Sequence, residues 1–404
     1  MAFTISLKDN PRSSYITLAV LGIVFLIFPF IVQQFGNSWV RIMDLALLYI
    51  MLAIGLNIVV GFAGLLDLGY IAFYAVGAYT AALLASPQFA VVLESLAFEY
   101  PAAGNALISF FGPEVAQHGI HLPIWVIVPL AALLAALCGM MLGFPVLKLR
   151  GDYLAIVTLG FGEIIRIFMN NLNGPVNVTN GPQGINMIDP VRIAGLSFAG
   201  EPGSNAMVSL GSLAIPSVNA YYFLFLALTV ASIFIAVRLQ HSRLGRAWIA
   251  IREDEIAAKA MGINTRNVKL LAFALGATFG GVAGAMFASF QGFVSPESFS
   301  IMESIAIVAM VVLGGMGHIP GVVLGALLLA ALPEILRHTV EPLQLAVFGS
   351  VLIEAEVLRQ LLYGLALVLI MLYRPSGLWP APRQEDRPDA SGDRLGKPVG
   401  VVQA

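Results

Sequence analysis

Long apolar runs alternate with short polar segments along almost the whole chain. Ten runs are long enough to cross a hydrocarbon layer of about 30 Å as α-helices: 15–33, 40–60, 62–85, 123–143, 152–171, 220–238, 268–290, 301–317, 319–337 and 357–373. The pattern predicts an all-α, polytopic integral membrane protein with about ten transmembrane helices. Glycines interrupt 62–85 and 301–337, so we expect broken or re-entrant segments there.

Polar positions concentrate at the two ends of the chain and in one internal loop, 239–266. Residues 1–14 and 374–404 flank a predicted transmembrane domain at 15–373. The run after Lys8 and Arg12 is predicted to be an uncleaved first helix. The tail 374–404 cannot bury a core, and we predict that it is largely disordered.

Lys and Arg are distributed unevenly between the loops that ten helices would create. Loop 86–122 has none and loop 172–219 has only Arg192, whereas the basic residues of the other side include Lys8, Arg12, Lys148, Arg150, those of 239–266 and Arg374. Because basic loops stay in the cytoplasm, we predict cytoplasmic N- and C-termini. Arg41 is an exception.

Composition supports a membrane protein and excludes several other classes. The apolar fraction is 59% and the charged fraction 11%, against about 45–50% and about 25% in soluble domains, and the mean hydropathy is +0.88. The net charge of −2 without a basic tract gives no support for nucleic-acid binding. The single cysteine, Cys138, excludes an internal disulfide, and structural zinc has no support.

Two glycine-dense segments occur in the two halves of the chain, Gly61–Gly69 and Gly314–Gly321. We call them the first and second glycine breaks. Paired breaks in two halves of a transporter indicate a transport site between repeats, but close helix packing by small residues is an equally good interpretation. Asp67 lies in the first break, where backbone groups can line a cavity.

Ionisable residues inside predicted spans are few: Asp44, Asp67, Glu163, Arg166, Glu303 and Glu334. Each costs about 2.5–3.5 kcal/mol on insertion scales. Glu163 and Arg166 are three residues apart on one helix and can pair on one face. The pair could lock helices together or take part in a transport pathway. We expect Glu303 and Glu334 to reach the interface near the span ends.

No catalytic or metal-binding motif is present. The chain has no Gly-x4-Gly-Lys-Ser/Thr sequence, so we expect that it does not hydrolyse ATP. His118 and His121, three residues apart, are expected to be solvated rather than metal ligands. The prediction is a transport protein without catalytic residues, metal or cofactor of its own.

The loop 239–266 contains a helix candidate, Ile249–Met261, whose apolar side would comprise Ile249, Ile256, Ala257, Ala260 and Met261. Asp254 and Glu255 suit a start near Glu253, and Gly262 suits a C-terminal cap. The helix could lie on the membrane surface, or it could dock in a groove of a cytoplasmic partner. Physical reasoning leaves both open.

Residues 252–263, Arg-Glu-Asp-Glu-Ile-Ala-Ala-Lys-Ala-Met-Gly-Ile, resemble the coupling loop of ABC importer permeases, with its Ala-Ala-x-x-x-Gly pattern. They depart from it because Ile256 separates Glu255 from the alanine pair. Further motifs resemble the branched-chain amino acid permease family, specifically its larger permease subunit, at 55–69, 151–166, 291–299, 311–317 and 374–378. The resemblance covers about 15–380.

The resemblance implies a permease subunit in the bacterial inner membrane. Its partners would be a second homologous permease subunit, two ATPase subunits that bind ATP-Mg, and a periplasmic solute-binding protein. The ATPase-coupling residues would be Arg252, Glu253, Asp254, Glu255, Ala257, Ala258 and Gly262. The pathway candidates are Asn57, Gly61, Gly64, Asp67, Tyr153, Thr158 and Glu163.

Two other functions remain open at this point. Related permeases carry urea or short-chain amides, so the solute could differ. A self-sufficient secondary carrier or channel would belong to a different class, and it would not need the 239–266 loop for transport.

Overall fold

The structure is a computed structural model that describes residues 25–149, 151–193, 196–198, 207–210, 213–348, 354–374 and 377–379. Residues 25–32 are helical. The further α-helices of the described residues are α1 Asn37–Asn57, α2 Ile71–Leu84, α3 Gln88–Glu99, α4 Pro101–Phe111, α5 Pro113–His118, α6 Ile124–Val146, α7 Asp152–Asn171, α8 Ser217–Gln240, α9 Arg243–Glu253, α10 Glu255–Ala260, α11 Thr265–Gln291, α12 Ile301–Gly314, α13 Ile319–Phe348 and α14 Ala355–Tyr373.

The helices pack around α1 and α11, which form the centre of the bundle. Residues from Leu48 to Asn57 of α1 are buried apart from Tyr49. Glycines of α11 lie directly against other helices: a Cβ on Gly284 would stand 2.1 Å from the Tyr74 carbonyl oxygen of α2. Small residues let backbones approach this closely. The backbones of α11 and α2 are therefore in direct contact at this glycine.

Among the described residues, five helices are long and apolar enough to cross a membrane: Asn37–Phe62 (α1 with the π-helical turn that follows it), α6, α8, α11 and 319–345 of α13. A sixth is obtained if α2 and α3, which meet at 82°, form one broken span. The all-helical membrane fold is thus confirmed. The count of ten stays a prediction, because α12 has only 14 residues and 15–24 lie outside the described residues.

The two long loops, 86–122 and 172–219, contain secondary structure of their own. Loop 86–122 is largely helical, as α3, α4 and α5. Loop 172–219 contains two short antiparallel strand pairs among its described residues, β2 Arg192–Ile193 with β3 Leu196–Ser197 and β4 Met207–Leu210 with β5 Leu213–Pro216. A further strand of the loop, β1 Ile185–Asn186, pairs with β6 Phe293–Val294, which follows α11.

The helix α13 extends beyond the predicted run 319–337 and continues without a break through Phe348, with Pro342 inside it. Of the tail, only Arg374 and 377–379 are described. Leu378 N–H donates to the Leu313 carbonyl, which joins the tail to the end of α12.

Candidate functional site

The first glycine break follows α1 through a π-helical turn, Ile58–Phe62. Gly64 then has a φ of +68°, a conformation that L side chains rarely adopt. Asp67 is buried, and its Oδ1 accepts the Gly69 N–H at 2.9 Å. The chain resumes a helix at Ile71. The break therefore replaces about two helical turns by irregular backbone at the end of the most buried helix.

The second glycine break follows α12 and precedes α13. Gly315 and Gly317 have φ values of +116° and +85°, so the chain reverses direction within a few residues. Gly314 packs directly on Gly321, whose carbonyl oxygen would lie 2.2 Å from a Cβ at Gly314. Side chains at these positions would separate α12 from α13.

The two breaks are joined by a hydrogen bond between the halves of the chain. The Oδ1 atom of Asn57 accepts the N–H of Gly317 at 2.8 Å, and Asn57 is 1% exposed. A Cβ on Gly61 would stand 2.0 Å from this Oδ1 and 2.6 Å from the Gly317 nitrogen. Glycine at position 61 is therefore required for the two breaks to meet.

Arg252, from the 239–266 loop, touches both breaks. Its guanidinium Nη1 donates to the Gly61 carbonyl, which lies in the last turn of a helix where carbonyls lack a helical partner. Its Cγ would be 2.7 Å from a Cβ on Gly64, and its Nη1 2.9 Å from one on Gly317. We call Asn57, Gly61, Gly64, Arg252 and Gly317 the glycine junction.

The 239–266 loop contains two helices instead of the predicted single helix Ile249–Met261. Asp254 ends α9 in an extended conformation (φ −151°, ψ 108°) and caps α10, accepting the N–H groups of Ile256 at 2.8 Å and Ala257 at 3.0 Å. Aspartate favours this capping position over a helix interior. The predicted start near Glu253 is therefore shifted to Glu255.

The end of α10 has the geometry predicted for Gly262. Gly262 has a φ of +84°, and its N–H donates to the Lys259 carbonyl. The Ile263 N–H donates to the Ala258 carbonyl at 3.1 Å, completing a Schellman motif. Both ends of α10 are thus capped, which makes this short helix a defined unit.

One side of α10 is exposed and the other is fixed to the bundle. Ile256 is 74% exposed, Met261 83%, and Ala257 is exposed as well, whereas Ala258 is 4% exposed. On the inner side, Glu255 pairs with the buried Lys269 of α11 at 2.7 Å. The two alanines of the predicted pair therefore face opposite ways.

The helix α9 before it is anchored by a buried tryptophan. Trp248 has no exposed surface, and its Nε1–H donates to the Val268 carbonyl at 2.7 Å. Ser242 caps the start of α9 by accepting the Gly245 N–H at 3.1 Å. Arg252 is one turn beyond Trp248, so this anchor holds its backbone against the breaks.

A polar cavity of about 250 Å³ lies beside the junction. It is enclosed by the first break, the start of α7 and the 239–266 loop, and its charged lining residues are Asp152, Arg252, Glu255 and Lys269. Water can fill a cavity with this lining. The loop therefore contacts the breaks directly through Arg252 and also faces the first break across this polar cavity.

The remaining pathway candidates lie along α7. Thr158 is buried against the first break, where its Oγ1 accepts the Leu68 N–H at 3.0 Å, and it lines a small cavity together with Asp67. Tyr153 is exposed and takes no part in the junction. Glu163 pairs with Arg166 within α7, and each side chain is about 30% exposed.

Sequence reasoning therefore missed three residues at this site: Gly317, Lys269 and Trp248. Gly317 lies within the second glycine break, whose similarity to the first break was the signal that could have identified it. Glu253 is exposed, and no contact within the described residues gives it a specific role. In the described part of the chain no group of three His, Cys, Asp or Glu residues could hold a metal.

Comparisons with known proteins identify relatives over most of the chain. The family model described as "Branched-chain amino acid transport system / permease component" matches residues 38–371. The permease protein LivM of a high-affinity branched-chain amino acid transport system in Escherichia coli is 41% identical over 374 residues, covering 91% of this chain and 75% of the relative.

More distant relatives match as well. A probable branched-chain amino acid transport permease protein LivM of Methanocaldococcus jannaschii is 27% identical over 82% of this chain and 90% of its own length. The permease protein LivH of Escherichia coli is 32% identical over 40% of this chain and 46% of its own length. No solved structure matches significantly. The chain belongs to the family of permease components of branched-chain amino acid transport systems.

Proposed function

We propose that this chain is the membrane-spanning subunit of an ATP-driven importer and that its solutes are branched-chain amino acids. The relatives are named for these amino acids, which favours them over urea or short-chain amides. The proposal places the chain in a bacterial inner membrane, with both termini and the 239–266 loop in the cytoplasm.

The assembly would contain a second permease subunit, two ATPase subunits that hold ATP-Mg, and a periplasmic binding protein. The partial match to LivH supports a related second subunit, because LivH and LivM are both named as permeases of such systems. Since this chain has no phosphate-binding loop, hydrolysis belongs to the ATPase subunits.

The contact of Arg252 with both glycine breaks is the observation that carries the mechanism. The exposed side of α10, with Ile256, Ala257 and Met261, offers an apolar surface to an ATPase groove. Movement of α10 is transmitted to α9, and Arg252 at the end of α9 passes it to the ends of α1 and α12. These are the points where irregular backbone can change conformation.

The exposed face of α7 is proposed to lie on the pathway side. Tyr153, Ile156 and Phe168 are exposed on it, and the Glu163–Arg166 pair is partly exposed among them. A charged pair facing lipid would be costly at this depth. Protein of the second subunit or water in the pathway would solvate it instead.

Ala257→Arg tests the coupling assignment, because residue 257 faces outward and the change leaves the bundle intact. With its partner subunits in proteoliposomes, this variant should lose ATP-dependent leucine uptake while its amount in the membrane stays normal. Asn267→Arg is the matched control, since it adds the same charge at an exposed site beside α10. Normal uptake by Ala257→Arg would contradict the assignment.

The same preparation separates the importer from a carrier. Reconstituted alone, the chain should not accumulate leucine under an ion gradient. Accumulation under these conditions would favour a self-sufficient carrier.

A further inference from the structure

A second polar cavity lies at the end of the helix bundle opposite the 239–266 loop. It measures about 360 Å³ and is enclosed by α1, α13 and α14. Three arginines line it, Arg41, Arg337 and Arg359, together with a single carboxylate, Glu334. We call it the arginine pocket. The proposed transport mechanism does not use this pocket.

The position of the pocket follows from the directions of the helices. Arg41 precedes Gly61 by 20 residues, which places it about 30 Å from the glycine junction along α1. Arg337 lies 18 residues beyond the start of α13 at Ile319, so it reaches a similar level. This separation equals the thickness of the hydrocarbon layer. The arginine pocket therefore opens at the opposite membrane boundary.

The carboxylates near the pocket are already paired. Glu334 forms ion pairs with Arg337 at 3.3 Å and with His338 at 3.2 Å. Glu303 pairs with Arg359 at 3.6 Å and accepts the Tyr49 hydroxyl at 2.8 Å. These two carboxylates pair with Arg337 and Arg359, and within the described residues neither of them pairs with Arg41.

Of the three pocket arginines, Arg41 is the one that makes no salt bridge within the described residues. Its guanidinium donates to the amide oxygen of Gln291 and stacks on Phe290, 5.4 Å from the ring centre. Asp44, one turn further along α1, is buried and makes no hydrogen bond with it. Several N–H groups of Arg41 can therefore donate hydrogen bonds to an anionic ligand in the pocket.

We propose that the arginine pocket binds the phosphate of a phospholipid headgroup. Guanidinium groups match phosphate in a bidentate geometry, and basic pockets between membrane helices bind lipid headgroups. Ile42, Leu45 and Pro333 line the same pocket and offer apolar contact to the glycerol and upper acyl region. A zwitterionic amino acid fits less well, because the oxygens of Glu334 are occupied and none is presented to an ammonium group.

The test uses the transporter with its partner subunits, purified in a mild detergent. Binding of fluorescent phosphatidylglycerol is titrated against binding of a diacylglycerol with the same chains. The phosphate-bearing lipid should bind at least about tenfold more tightly, in keeping with charge-assisted hydrogen bonds. Arg41→Gln should remove most of this difference, and Arg41→Lys should restore part of it.

Arg238→Gln is the matched control. Arg238 also lies at the end of a membrane helix and stacks on a phenylalanine, Phe234, at 5.3 Å, but it lies outside the pocket. Its loss should leave binding unchanged. The comparison of the two lipids uses the unaltered protein, so it decides the proposal even where Arg41→Gln does not fold.

Three outcomes would overturn the proposal. Equal affinity for phosphatidylglycerol and diacylglycerol would show that phosphate is not recognised. Displacement of the lipid by leucine would assign the pocket to the solute. Displacement by inorganic phosphate at equal concentration would assign it to a free anion.

Discussion

The two ends of the helix bundle are held together by different chemistry. At the loop end, backbone meets backbone: Gly61 and Gly317 approach so closely that a Cβ would overlap their neighbours. At the opposite end, ionisable side chains make the contacts, as in the Glu334–Arg337 and His121–Asp189 pairs. Side chains at the loop end add long-range bonds to glycine backbone, from Asn57, Arg252 and Gln240, and the ion pair Glu255–Lys269.

This difference has a mechanical consequence. Backbone contacts without intervening side chains are stiff, since packed interiors leave no space to absorb a displacement. They suit the end where, under the proposed function, a partner's movement has to be transmitted. Side-chain pairs at a membrane boundary are flexible, and they respond to salt, pH and lipid.

The largest effect is expected for Gly61→Ala. The new Cβ would overlap Asn57 Oδ1 and the Gly317 nitrogen, so the two breaks must separate or α1 must shift. Overpacking of this kind costs about 3 kcal/mol, and thermal unfolding in detergent should show a clearly lower melting temperature.

Gly364→Ala is the control for this change. Gly364 lies inside α14, and a Cβ added there would have no atom within 4 Å, so alanine should stabilise the helix by about 0.5–1 kcal/mol. If the Gly61→Ala variant had the same melting temperature as the Gly364→Ala variant, the loop end would not be held by backbone contact.

A smaller effect on stability, but a clear one on function, is expected for Arg252→Gln. The charge-assisted bond to Gly61 lies at a partly exposed site, so its loss should cost only about 1 kcal/mol. ATP-dependent uptake should fall by about tenfold or more, within the usual range of coupling between sites. Uptake in proteoliposomes and melting temperature, measured on one preparation, separate the two effects.

Arg246→Gln serves as the comparison variant. Arg246 donates to the His241 carbonyl at 3.0 Å within the same loop and does not reach the breaks. It should keep normal uptake. Equal losses in both variants would mean that the charge of the loop matters and the junction does not.

The smallest effect is expected at the opposite end, from His121. Its hydrogen bond to Asp189, at 2.6 Å, raises the pKa of the His121 imidazole above its usual value, although nearby Arg192 opposes this. A raised pKa means that protonated His121 stabilises the folded protein. This contribution is complete below about pH 6.5 and is lost as pH rises through the raised pKa.

Because His121 is more than one third exposed, solvent screening limits the contribution to less than about 1 kcal/mol. Unfolding measured between pH 5 and 9 should show this small decline, and Asp189→Asn should flatten it. A larger decline in Asp189→Asn than in the unaltered protein would show that another group titrates.

Local patterns could be predicted well at particular positions. The apolar runs placed α1, α6, α8 and α11 within a few residues, since hydrocarbon requires long helices with internal hydrogen bonds. Gly262 was recognised as a cap because a left-handed residue after a helix favours glycine. The sequence did not predict that one helix ends and the next begins at Asp254. An aspartate can continue a helix or cap the next one, and the local sequence favours neither strongly.

The membrane class, the long helices, the polar loop and the positions of both glycine breaks can be predicted from the chain alone, because these features depend on residues close together in it. The role of the glycines becomes visible only in the folded protein. Arg252 and Gly61 are 191 residues apart, and Asn57 and Gly317 are 260 apart. Contacts between residues so far apart in the sequence depend on how whole helices pack. No local periodicity shows which backbone segments will meet.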